Sequence, residues 1–193
     1  TLRDYTKTRA DLEDTLRKLS DIGYEAVQLS AIGAMNGDNP EVGVEDLKKM
    51  LDDNGLKCVG THRGWAELMN NTDKEIEFHK TLECDFCAIG SIPGDSYGQT
   101  AEGYRRFLSD AEPVIEKLKE AGIRFGHHNH SKEFTRPERQ GPRLEDILID
   151  EAPEDLMLEL DMYWVQNAGV NPVRIIERCP GRLPLVHFKD KGI

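Results

Sequence analysis

The chain has 193 residues, 38% apolar and 32% charged, with a formal net charge of 25 − 36 = −11. That length suits one domain with a substantial core. No run nears the ~18 apolar residues of a membrane span, and an acidic chain without a basic cluster argues against a nucleic-acid surface, which needs positive charge for the phosphates.

No signal peptide is visible; the chain opens on the polar stretch Thr1-Leu2-Arg3-Asp4. From Thr8 to Ile22, apolar residues recur at Leu12, Leu16 and Leu19, the spacing of one helix face. Thr8 with Asp11 reads as the N-terminal cap and Gly23 as the stop. Residues 25–29 read as a strand, Val44 to Asn54 as a helix closed by Gly55, and Leu56 to His62 as a second strand. The unit repeats with a helix over Asp73 to Leu82 and a strand over Phe86 to Ile89. The loop Gly90 to Gly98 follows. Thr100 caps the longest helix, running to Ala121, in which Pro113 marks a new start or a kink. After Gly122 comes a strand running into His127, His128 and His130, then a loop over 135–142 and a helix over Leu144 to Asp150. Leu156 to Asp161 reads as a strand, Met162 to Ala168 and Pro172 to Arg178 as helices, and Leu183 to Lys189 as the last strand.

Alternating helices and strands imply a parallel sheet covered by helices. Two layouts fit, an open doubly wound sheet and a (β/α)8 barrel. His62, His128, His130, Asp161 and His187 all fall at the C-terminal ends of four strands, the active-site placement of a barrel. An open sheet would gather its ligand at one crevice with a Gly-rich phosphate loop, and no G-x-G-x-x-G or P-loop is present. The fold class is therefore an α/β barrel.

Three of the six histidines lie within four positions. Strand alternation puts His128 and His130 on one face and His127 and Asn129 on the other. Glu159 and Asp161 likewise share a face; Asp161 reads either as a ligand or as the cap of the following helix. Imidazoles and a carboxylate on separate strands suit a divalent metal, Mn²⁺, Zn²⁺, Fe²⁺ or, less well, Mg²⁺. His62 is a candidate for substrate contact or for a base, and Trp65 for a sugar platform, a lid or the core. Glu133 and Lys189 are candidates for chemistry or solvated charges, and His79 reads as surface or packing. Cys58, Cys84, Cys87 and Cys179 are no disulfide framework in a chain this long. The C-x-x-C at Cys84 and Cys87 lacks the second pair of a zinc site. All four read as small buried residues, which fits a reducing, cytoplasmic setting.

The residues Gly126-His127-His128-Asn129-His130-Ser131-Lys132-Glu133-Phe134, Glu159-Leu160-Asp161-Met162-Tyr163-Trp164 and His187-Phe188-Lys189-Asp190 resemble the xylose isomerase-like TIM-barrel family, in its sugar phosphate isomerase/epimerase branch. The likeness spans the whole chain, including the Leu-Arg-Asp-Tyr opening. It implies a divalent metal held by a Glu after the fifth strand, an Asp after the sixth, a His after the seventh and a Glu after the eighth. By position, Asp161 and His187 match the sixth and seventh, and the fifth-strand glutamate falls on His128. That glutamate is an acid/base in ketose epimerases, so the chain departs from the two-glutamate proton shuttle. Gln28, where relatives often carry Glu, is a second departure. Gln28, His62, Trp65 and His130 become the expected substrate contacts, and His128, His62, Glu133 and Lys189 the expected proton-handling set.

The same likeness implies that the first and eighth strands are lacking, so that the chain is a fragment of a longer barrel with a possible homo-oligomeric state through its open edges. The expected activity is a metal-dependent isomerase or epimerase of a sugar or sugar derivative working through an enediolate. The alternatives are a lyase or hydratase on a keto-sugar or keto-inositol, and a non-catalytic sugar-binding relative.

Overall fold

The structure, a computed structural model, describes residues 2–189. Helix α1 (Arg9–Ile22) opens with a reciprocal cap: Thr8 Oγ1 accepts from the Asp11 backbone N–H at 3.1 Å, and the Asp11 carboxylate accepts from the Thr8 N–H at 3.2 Å. It ends at Gly23, whose φ of +105° lies where only glycine is comfortable. The chain continues through β1 (Ala26–Ser30), α2 (Val44–Asp53), β2 (Lys57–His62), α3 (Trp65–Asn70), α4 (Thr72–Thr81), β3 (Phe86–Ile89) and α5 (Gly94–Tyr97). Then come α6 (Ala101–Glu120), β4 (Arg124–His128), α7 (Leu144–Asp150), β5 (Leu156–Asp161), α8 (Met162–Asn167), α9 (Pro172–Ile176) and β6 (Leu185–His187).

The six strands lie side by side in chain order, every pair parallel. In a flat sheet β1 and β6 would stand five strand spacings apart, about 24 Å. Here the side chain of Gln28 on β1 meets that of His187 on β6 at 2.7 Å. The sheet therefore curls into a half-barrel whose concave face brings its two edges within side-chain reach. Two glycines make room inside it. A Cβ on Gly126 would lie 2.8 Å from the Phe86 ring, and one on Gly60 would lie 3.2 Å from Phe86 and 3.3 Å from Leu185. Phe86 thus fills the floor, below the C-terminal strand ends.

Outside the sheet, α6 supplies Tyr104, Phe107, Ala111, Val114, Ile115 and Leu118 to the main core, with Leu144, Leu148, Leu158 and Val165. A second apolar cluster joins α1 and α2 to β1 and β2 through Leu12, Leu16, Leu29, Leu47, Leu51 and Cys58. The four cysteines are buried and unbridged.

Three local expectations change. Pro113 neither restarts nor breaks α6, which runs unbroken for 20 residues. It lies on the exposed side, where water can satisfy the carbonyl one turn earlier that its missing N–H leaves free. The last strand covers only 185–187 of the expected 183–189. Residues 65–70, unassigned in the sequence, form α3, whose buried residues are Trp65 and Leu68. Among the described residues no helix is long and apolar enough to cross a membrane.

Candidate active site

The centre of the concave face is a carboxylate. Glu159, in the middle of β5, is 0% exposed. Its Oε1 accepts from the Gln28 side-chain amide of β1, and its Oε2 pairs with His62 Nε2 of β2. His128 Nδ1 of β4 stands 3.2 Å from Oε2, and His187 Nε2 of β6 stands 3.5 Å from Oε1. Despite its distance, the His128 nitrogen is not aligned for a hydrogen bond and is buried without a partner. Burial alone would raise the Glu159 carboxyl; the imidazoles of His128 and His62 at its oxygens, with His187 beside them, outweigh burial and hold it at about 2. Four strands thus bring polar side chains up to one buried anion, and two of them, β1 and β2, donate hydrogen bonds to it, which is how a charge becomes tolerable there.

Beside it lies a second carboxylate with a different role. Asp161 Oδ1 accepts from the Trp164 N–H at 3.1 Å, capping α8. Its backbone is gripped by Asn129: the Asp161 N–H donates to Asn129 Oδ1 at 2.8 Å, and Asn129 Nδ2 donates to the Asp161 carbonyl at 3.4 Å. The Asn129 side chain thereby extends the β4–β5 ladder past its last backbone pair. The other carboxylate oxygen, Oδ2, faces His187 Nδ1 at 3.5 Å.

The tautomer of His187 follows from its neighbours. The Gln28 amide donates to Glu159, so its Oε1 accepts, and His187 Nε2 must donate to it. Burial lowers the His187 pKa, more than the charges of Glu159 and Asp161 raise it, and keeps the ring neutral. Nδ1 is then a bare lone pair facing a carboxylate oxygen, two acceptors with no proton between them. Donor atoms of His128, Asp161 and His187 all lie within 4.8 Å of one another, and so do those of His62, His128 and Glu159. The first set suits a divalent cation: two imidazoles and a carboxylate with unused lone pairs. In the second set, both Glu159 oxygens already accept hydrogen bonds.

Of the residues singled out in the sequence, Gln28, His62, His128, Asp161 and His187 meet here. His130 lies just past the end of β4 rather than on it, its ring 4.8 Å from His128 and 5.2 Å from Trp164. Burial, with the neighbouring His128, lowers its pKa to about 4. Trp65 is a core residue and not a sugar platform: it is 6% exposed, packs its ring 4.9 Å from Phe107, and donates its indole N–H to Tyr97 Oη at 3.0 Å. Glu133 is buried, accepting from the His130 backbone N–H at 2.9 Å, and burial raises its pKa. Lys189 sits on the rim, its Nζ 4.4 Å from the Tyr163 ring and 4.6 Å from the Trp164 ring. His127, on the opposite strand face, is fully buried with both ring nitrogens unpartnered, and burial takes its pKa to about 3. His79 is also interior, between Thr61 Oγ1 at 2.7 Å and the Glu75 carbonyl at 2.6 Å.

Sequence reasoning passed over Glu159 and Asn129 as site residues. A signal for Glu159 existed, since it shares a strand face with Asp161 inside an otherwise apolar run and a buried charge demands partners. Asn129 carried none beyond its place between two histidines.

A family model described as xylose isomerase-like TIM barrel matches residues 16–192. No curated protein sequence matches. Among solved structures, a sugar phosphate isomerase/epimerase from Parabacteroides distasonis ATCC 8503 is similar with a TM-score of 0.78 at 25% identity, over 94% of this chain and 70% of that one. An AP endonuclease, family 2, from Brucella melitensis has a TM-score of 0.68 at 15% identity over 94% and 76%. An L-ribulose 3-epimerase has 0.68 at 17% over 94% and 65%. At such identities the last two share the fold alone, and the chain spans about two thirds to three quarters of all three. The half-barrel of six parallel strands, its polar residues gathered at the strand ends, and the match over most of its length lead to one conclusion: the chain belongs to the xylose isomerase-like TIM barrel family.

Proposed function

We propose that the protein is a metal-dependent isomerase or epimerase of a sugar or sugar derivative, working through an enediolate. The observation that carries this reading is the pair of facing acceptors, His187 Nδ1 and Asp161 Oδ2, 3.5 Å apart beside His128. His128, Asp161 and His187 would hold the ion, with Mn²⁺, Zn²⁺ and Fe²⁺ suiting the imidazoles better than Mg²⁺. When bound, the metal supplies Lewis-acid charge for a carbonyl oxygen and its neighbouring hydroxyl.

The chain's own residues do the rest. Asn129 fixes the Asp161 backbone, and Gln28 fixes the His187 tautomer, an outer partner of the kind that orients a ligand imidazole. His62, part-exposed at the end of β2, would move the proton. One structural relative, the sugar phosphate isomerase/epimerase, supports the substrate class. Histidine in place of the fifth-strand glutamate favours a second reading, a lyase or hydratase on a keto-sugar or keto-inositol, which needs one base rather than two.

Titration with Mn²⁺, followed by the loss of the free-ion EPR signal, tests the site. Asp161→Asn and His187→Ala should each weaken binding by roughly tenfold or more, since losing even an outer partner costs 10–100-fold. Full affinity in both variants would remove the metal site. Deuterium incorporation from D₂O into ketoses then reports the reaction.

A further inference from the structure

We propose that Glu159 is the positioning residue of proton transfer: it holds His62 in the tautomer protonated on Nε2, so that Nδ1 is the bare nitrogen offered to substrate. The proposal deepens the function just described and rests on it for the reaction, though not for the tautomer.

The geometry is specific. A carboxylate can only accept, so the His62 Nε2 at Glu159 Oε2 carries the proton, and a neutral ring then leaves its lone pair on Nδ1. Glu159 is anchored, because it is fully buried on a central strand and its other oxygen is held by Gln28. The His62 side chain is 17% exposed against 0% for Glu159, so the ring spans from the buried anion to the open end of the half-barrel. Its Nδ1 makes no hydrogen bond among the described residues. Gly90, just past β3, borders that nitrogen: a Cβ there would lie 3.6 Å from Nδ1, in ordinary contact with it. The rings of His128 and His187 are centred 5.1 Å and 6.1 Å from that of His62, so the ring stands beside the proposed ligands.

The step balances without a co-reactant. The C–H bond next to the substrate carbonyl breaks and its proton goes to Nδ1. The bonding pair forms a carbon–carbon double bond, and the carbonyl pair moves onto oxygen. His62 is then an imidazolium between Glu159 and the enediolate. Return of the proton to the adjacent carbon, with the hydroxyl proton passing between the two oxygens, completes an isomerisation and restores the neutral ring. The carboxylate's part matches the orienting aspartate of a Ser-His-Asp triad, whose replacement by the amide lowers kcat about 10⁴-fold through the wrong tautomer.

The test uses the Mn²⁺-titrated chain for turnover and the metal-free chain for spectroscopy. Long-range ¹H–¹⁵N correlation on histidine-labelled protein should show His62 protonated on Nε2 in the wild type, and a mixed or reversed pattern in Glu159→Gln. Deuterium exchange into ketopentoses and ketohexoses, free and phosphorylated, should fall roughly 10²- to 10⁴-fold in kcat in that variant. With Mn²⁺ saturating for each protein, KM should stay within about threefold, a split that loss of folding would not give; Mn²⁺ affinity should itself weaken, because Glu159 holds the Gln28 amide that orients His187. Gly90→Ala sets a methyl in contact with Nδ1 without touching Glu159; by crowding the approach of substrate to that nitrogen it should cost roughly tenfold in kcat, less than the roughly 10²- to 10⁴-fold of losing the base outright, with tautomer and Mn²⁺ affinity unchanged. It carries the test should Glu159→Gln fail to fold. A wild-type His62 protonated on Nδ1, or undiminished exchange in Gly90→Ala, would overturn the proposal. A wild type that exchanges no ketose would overturn the reaction, while the tautomer still decides the positioning.

Discussion

Glu145 shows how much a single side chain can bind stability to pH. It lies on α7, is 1% exposed, and its Oε2 has no hydrogen-bond partner. Burial first, then the like charges of Glu133 and Asp146, push its pKa from 4.5 to about 8, against the pull of Arg182 and Arg178. Below the ordinary value, folded and unfolded chains both hold the proton and the residue contributes no slope. Above it the unfolded chain ionises while the folded one stays protonated, so stability falls by roughly 1.4 kcal/mol per pH unit until about pH 8. Glu145→Gln removes that slope. In urea titrations at about pH 5 and about pH 7.5, the stability difference between variant and wild type should move in the variant's favour by roughly 3 kcal/mol. An unchanged difference would mean that the folded carboxyl ionises as it does in water.

At the scale of elements, the strands are set by what their smallest residues permit. Gly126 is a glycine inside a strand, ordinarily a weakness, yet any side chain there would run into the Phe86 ring at 2.8 Å and the Met157 carbonyl at 3.2 Å. Gly126→Ala should therefore cost about 1–3 kcal/mol of overpacking. Adding Phe86→Leu, which removes the ring the methyl meets, should recover part of that loss. Thermal melts of the single and double variants check the coupling, and strictly additive losses would place the clash elsewhere. The legible part of the elements was their order. Thr8 with Asp11, Gly23, Gly55 and Gly122 mark helix ends through local chemistry, and most strands lie where the apolar runs predict them. Helix α3 escaped because its six residues give too few turns for a period, although Trp65 and Leu68 are already spaced as one buried face.

Across the whole molecule, the curl of the sheet and the polar cluster hold each other in place. Gln28 and His187 lie on the two edge strands of the described sheet, 159 residues apart, and are joined only through the concave face. Gln28→Leu would strip Glu159 of one donor and His187 of its acceptor. Removing one partner from a buried charge network costs about 3–5 kcal/mol when the charge stays uncompensated. The half-exposed edge should take the lower part of that range. The loss should concentrate at the edges: backbone amides of β1 and β6 should exchange with deuterium faster than in the wild type, while those of β3 and β4 keep their protection. Uniformly faster exchange would make Gln28 a general stabiliser and not a clasp.

The sequence by itself determined the alternation of helix and strand, the parallel sheet, and the gathering of histidines and Asp161 at one end. Those properties follow from local propensity, capping and the two-residue period of a strand, all readable within a dozen positions. Only the tertiary structure decided which of these residues meet. Glu159 became the hub because Gln28, 131 residues away, and His62, 97 residues away, arrive on strands that converge once the sheet curls. Asn129 became the anchor of Asp161 across 32 residues, and Trp65 turned inward because α3 packs it against Phe107. Curvature is a collective property of six strands and their packing, with Phe86 seated between Gly60 and Gly126, and no window of the chain contains it.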